Sequence, residues 1–82
     1  MKANLYTIFP PGVTLSEKLN ETGVSFKECA KMASIPKETI LGIIEGRESI
    51  TEEIAEALER ATHIPSGFWI KKQLIYDEYK KK

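Results

Sequence analysis

Residues 25 to 47, SFKECAKMASIPKETILGIIEGR, constrain the fold more than any other stretch of the chain. Ser25 and Glu28 stand ahead of an apolar run with the S-x-x-E spacing of a capping box at a helix N-terminus. Phe26, Cys29, Ala30 and Ala33 then recur at i, i+3, i+4 and i+7, which puts them on one helical face. Ala30 and Ala33 are small, so a second helix can cross close to them. The run breaks at Ser34-Ile35-Pro36, because proline pushes the residue before it out of the α region. Pro36 is tolerated at the start of a new helix, where a missing N–H costs nothing. Ile40, Ile43 and Ile44 supply the next stripe, and Gly46 stands where a left-handed C-cap closes a helix. Helix, tight turn, helix is the arrangement of DNA-binding helix-turn-helix units. The same spacing also suits a helical hairpin that only packs.

The 82 residues suffice for one small domain, and residues 1–82 are read as a single unit around the helix pair at 25–46. Upstream, Thr14 to about Thr22 forms a helix with Leu15 and Leu19 on one face and Gly23 at its end. Before it, residues 3 to 9 (ANLYTIF) form a short strand or an extended arm, long enough to lie on the domain or to reach a second subunit. Pro10-Pro11-Gly12 is expected to stop any regular element there. Downstream, Thr51 caps a helix whose first turn carries Glu52 and Glu53, where the helix dipole favours negative charge. Its buried face is Ile54, Ala55, Leu58 and Ala61. Its outer face sets Glu52, Glu53, Glu56 and Glu59 against Arg60, and so repels phosphate.

A last helix opens at Pro65 or Ser66 and runs over 65–80, despite a propensity cost of about 1 kcal/mol at Gly67. Its apolar residues fall on more than one side. One stripe packs on the domain, and a second subunit is the simplest cover for the rest. Phe68, Trp69, Leu74, Tyr76 and Tyr79 are therefore expected at a homodimer interface. The alternative is that Trp69 and its neighbours form the lid of a four-helix core. Together these elements predict an all-α fold of five helices with a short N-terminal arm or strand.

Chemistry that would mark an enzyme is missing from the sequence. There is no glycine-rich phosphate loop, no paired His/Cys metal spacing and no nucleophile-base-acid set. Glu52-Glu53 and Asp77-Glu78 are adjacent pairs, so their carboxylates point to different sides of a helix. His63 has no ligand partner and reads as a loop residue. Catalytic residues, metal ligands and cofactors are all expected to be none. The 12 basic and 12 acidic residues cancel, which argues against a highly basic nucleic-acid coat but leaves room for a local basic patch. Cys29 is the only cysteine, so no internal disulfide can form; its place on an apolar face makes it a core residue in a reducing compartment. No apolar run approaches the roughly 20 residues of a membrane span, and the start of the chain lacks a signal-peptide pattern. The expected location is the cytoplasm, with no membrane partner.

From Pro10 to Tyr79 the chain resembles the phage-repressor-type (XRE) helix-turn-helix domains, most closely the HigA antitoxin subgroup. It is also similar to the domains that precede a metallopeptidase-like module in some bacterial regulators. The residues that carry the resemblance are PPGVTLSEKLNETGVS, the helix-turn-helix, the GRESIT connector and the tail IPSGFWIKKQLIYDEY. The Phe68-Trp69 pair after a proline-containing turn, followed by a tyrosine-rich helix, is the specific part. The resemblance implies a five-helix bundle, a two-fold homodimer and binding to double-stranded DNA at the operator of its own operon. For the antitoxin subgroup it further implies a cognate toxin as partner.

By the same resemblance the second helix of the pair, Lys37 to Glu45, enters the major groove. Lys37, Glu38, Thr39 and Gly42 then face bases, while Ser25, Lys27 and Arg47 hold phosphate. Ser25 can do so only if its cap leaves the hydroxyl free. The sequence departs from the family pattern at several of these positions. Phe26 stands where a glutamine usually anchors phosphate, and Pro36 where a serine or threonine opens the reading helix. Leu41 and Gly42 stand where a long polar side chain reaches base edges, and are expected to leave a depression beside an exposed leucine. A protein-interaction module on the same fold, with weak or no DNA binding, is the competing expectation.

Overall fold

The structure is a computed structural model and describes residues 9–80. Five helices follow one another: α1 (Pro11–Thr22), α2 (Phe26–Ala33), α3 (Lys37–Glu45), α4 (Glu52–Thr62) and α5 (Ser66–Lys80). The described residues contain no strand. The arm or strand expected over residues 3 to 9 lies outside the described residues except for Phe9, which is exposed.

Local chemistry sets most of the helix ends. The capping box forms in full: Glu28 N–H donates to Ser25 Oγ and Ser25 N–H to Glu28 Oε1, each at 3.1 Å. Thr51 Oγ1 accepts from the Ile54 N–H at 3.2 Å and opens α4. Gly23 (φ 72°) and Gly46 (φ 83°) close α1 and α3 in the left-handed region. Ser34 (φ 61°) and His63 (φ 65°) close α2 and α4 in the same conformation without being glycine, at a cost of roughly 1–2 kcal/mol each.

The start of α1 departs from expectation. Pro10-Pro11-Gly12 opens the helix, which begins at Pro11 rather than at Thr14. Pro10 is the N-cap, its carbonyl accepts from Val13 N–H at 3.0 Å, and Pro11 takes the first helical position. A proline there gives up only an N–H that would have had no helical partner. Gly12 has a different role. It lies where α1 crosses α3, and a side chain on it would run into the Ile43 carbonyl. The glycine is needed for close approach, not for a turn.

The helices surround one core. α2 packs on α3 and α4, α4 on α5, and α1 on α3 and α5. Leu15, Cys29, Ile40, Ile43, Leu58 and Trp69 are its largest fully buried side chains. Two charged residues of the acidic α4 face also act as caps for neighbouring helices. Arg60 donates to the Ala33 carbonyl at the end of α2 (2.9 Å), and Glu59 accepts from the Ser66 N–H at the start of α5 (2.9 Å). Both contacts complement helix dipoles.

Gln73 is the polar residue that ties the connector to the bundle. It is buried, its Oε1 accepts from the Ile50 N–H at 2.8 Å, and its Nε2 donates to Asp77 at 2.9 Å. Changing Gln73 to leucine keeps similar bulk but strands the Ile50 N–H inside the protein. The expected loss is about 1–3 kcal/mol of stability. Urea unfolding should show a lower midpoint at unchanged slope; an unchanged midpoint would contradict this account.

Candidate nucleic-acid interface

The helix-turn-helix is built by α2, the turn at Ser34-Ile35-Pro36, and α3. Ser34 N–H donates to Lys31 O (3.2 Å) and Ile35 N–H to Ala30 O (3.1 Å), so the turn satisfies the last carbonyls of α2 while it reverses direction. Pro36 then serves as the N-cap of α3, its carbonyl accepting from Thr39 and Ile40 at 3.0 and 3.3 Å. Cys29, Ala30 and Ala33 from α2 and Ile40 and Ile43 from α3 lie buried, which holds the two helices in one orientation.

The residues expected to meet DNA fall into two groups. Lys27, at the second position of α2, and Lys37 and Glu38, in the first turn of α3, are exposed; Thr39 is half-buried beside them. Ser25 is committed to its cap. Its oxygen accepts from Glu28, and its own N–H, the donor a phosphate would use, is taken by the Glu28 carboxylate. At the other end of α3, Arg47 is paired with Glu45, with Nε at 2.8 Å and Nη2 at 2.5 Å from one carboxylate oxygen. Both side chains are about half exposed (61% and 49%), so the pair contributes at most about 1 kcal/mol and a phosphate can compete for the guanidinium.

Gly42 departs from expectation most clearly. It does not leave an open depression, and Leu41 beside it is half-buried rather than exposed. The left-handed Gly46 turns the chain back over the last turn of α3. Arg47 and Glu48 N–H groups both donate to the Gly42 carbonyl, at 2.8 and 3.1 Å. The Glu48 side chain then lies over Gly42, so that a Cβ there would sit 3.2 Å from Glu48 Cβ. Gly42 is buried under this loop. A glutamine at 42 would have to push Glu48 aside before reaching a groove. Glu48 escaped the sequence reading; the one signal for it was the Gly46 cap that folds the next residues onto α3.

The aromatic helix also needs one correction. Trp69 was expected at a homodimer interface, but none of it is exposed: the core of its own chain surrounds it. Phe68 stands edge-on to its ring, with centroids 5.4 Å apart and planes at 83°. Of the remaining set, Phe68, Leu74 and Tyr79 are exposed and Tyr76 is half-buried; Ile75 joins the exposed group.

This architecture can be set against known proteins. An addiction module antidote protein of the HigA family from Coxiella burnetii matches with 31% sequence identity and a TM-score of 0.79, over 85% of this chain and 77% of that one. The chain belongs to the HigA family. A Nostoc punctiforme structure described as an antidote protein of a plasmid maintenance system matches with 25% identity and a TM-score of 0.84, over 89% and 80% of the two chains. Antitoxin HigA of Pseudomonas aeruginosa, solved with the higBA promoter, shares the fold with a TM-score of 0.86 over 92% and 83% of the chains, at 24% identity. No protein-family model and no curated protein matches the sequence. The helix-turn-helix of XRE type expected from the sequence is the fold of these HigA antitoxins.

Among the described residues no helix is long and apolar enough to cross a membrane, and no three His, Cys, Asp or Glu side chains cluster to hold a metal ion. The titratable group that burial perturbs is Cys29, whose thiol is pushed up by desolvation on the inner face of α2. A raised pKa means less thiolate at neutral pH. A thiol reagent should therefore react slowly with the native HigA-family protein and rapidly in denaturant. Fast native labelling would show that α2 opens readily from the core.

Proposed function

We propose that this protein is a sequence-specific DNA-binding regulator of the antitoxin type, which represses its own operon and neutralises a cognate toxin. The observation that carries the reading is a fully capped α2, a left-handed turn and an α3 whose first turn presents Lys37 and Glu38 at the surface, with Thr39 half-buried beside them. It occurs in a family with a member solved with its promoter. In this reading α3 lies in the major groove. Lys37 reaches a phosphate, Glu38 accepts from a cytosine amino group, and Thr39 touches a thymine methyl. Lys27 holds phosphate across the groove edge, and Arg47 joins once it leaves Glu45. The work is done in the cytoplasm.

A homodimer completes the reading. Phe68, Ile75 and Tyr79 supply an exposed apolar stripe of α5 for a second copy, with exposed Leu74 beside it, and a two-fold pair would read half-sites about one helical turn, roughly 34 Å, apart. Sedimentation at micromolar concentration should give twice the chain mass. A monomer at high concentration would remove the dimer from the proposal.

A second reading keeps the fold and drops the DNA. It makes the protein an interaction module, and the acidic groups Glu45 and Glu48 at the end of α3 favour it, since they repel phosphate. Titration against the upstream region of its own gene, with a scrambled duplex as control, separates the two. Lys37→Ala should weaken binding to both duplexes and flatten the salt slope by about one unit. Thr39→Ala should instead change the preferred sequence, by about 1–3 kcal/mol at one base pair. Equal affinity of the unmodified protein for both duplexes, or none for either at low salt, would leave the interaction module.

A further inference from the structure

The cations of the helix-turn-helix are not spread evenly. Lys27 and Lys31 stand four residues apart on α2, hence on one face and one turn apart, and Lys37 opens α3 across the turn. All three border one groove of about 450 Å³ between the two helices. Ala30 and Ile35 form its apolar floor, and its lining is far more apolar than polar. None of the three lysines meets a carboxylate among the described residues. Glu28 also borders the groove, but its carboxylate is held by the Ser25 N–H. Arg47, by contrast, lies outside this groove and already has an acidic partner.

We propose that this groove seats a stretch of the DNA sugar-phosphate backbone, and that Lys31 is a phosphate-binding residue alongside Lys27 and Lys37. The inference rests on the DNA-binding reading above and names the surface by which that binding is held. The occupant follows from complementarity. A phosphodiester backbone offers negative oxygens to three free ammonium groups and an apolar sugar face to Ala30 and Ile35. Lysine acts as a point charge on a flexible stem, so the three can converge on neighbouring phosphates without fixed geometry. Phosphate contacts position a protein without reading sequence, so loss of Lys31 weakens all duplexes alike. Lys31 is exposed and caps nothing, so its replacement leaves the fold intact.

The test is the slope of log binding constant against log salt concentration, for the upstream duplex and a scrambled one. Lys31→Ala should flatten the slope by about 0.9 on both duplexes. Lys31→Arg should restore it. Thermal unfolding of each variant checks that the fold is kept. If the unmodified protein binds the upstream duplex but Lys31→Ala keeps the full slope, the groove proposal is overturned and the regulator reading stands. If the unmodified protein binds neither duplex, the regulator reading fails and takes the groove with it.

Discussion

Trp69 lies at the centre of a bundle whose helices cannot stand alone. α2 has 8 residues and α3 has 9, well under the roughly 12–15 at which an isolated helix becomes even marginally stable in water. Each helix persists because its apolar stripe meets the others in one core, and Trp69 is the largest side chain buried there. Its indole Nε1 has no hydrogen-bond partner among the described residues. The position of the helix-turn-helix follows from this dependence. α2 and α3 hold their mutual angle because α1, α4 and α5 close the same core behind them.

Charged side chains complete the bundle in a way that simple face patterns hide. Glu59 and Arg60 are neighbours in sequence on the solvent side of α4, yet one caps the start of α5 and the other the end of α2. Gln73 reaches from α5 to the connector after α3 and pairs the Ile50 N–H, which would otherwise be buried unmet. The Gln73 contact holds the connector after α3 against α5, and so links the surface proposed to meet DNA with the helix proposed to meet a second copy.

A zero net charge coexists with a polarised surface. Acidic residues gather on α4, while three lysines that meet no carboxylate among the described residues gather around the groove between α2 and α3. At the far end of α3 the polarity reverses, because Gly46 folds Arg47 and Glu48 back over Gly42 and Arg47 pairs with Glu45. Phosphate attraction depends on local field more than on total charge, since salt screens exposed charges beyond about 8–10 Å. The groove is thus where the proposed interface concentrates its positive charge.

The sequence alone determined the all-α class, the existence of all five helices and nearly all of their ends. Those features depend on interactions within a few residues: the Ser25–Glu28 box, the Thr51 cap, the left-handed glycines at 23 and 46, and the proline at 36. The candidate residues at the first turn of α3 were legible for the same reason, because a helix start and its periodicity fix which side chains leave the core. Tertiary structure decided the rest. It buried Trp69 instead of offering it to a partner, because a helix with apolar residues on several sides commits to whichever stripe its neighbours can cover. It made Gly12 a point of close crossing, because only the path of α3 brings the Ile43 carbonyl against it. It covered Gly42 with Glu48 and drew Lys31 and Lys37 to one groove, because contacts between separate elements leave no periodic trace in the chain.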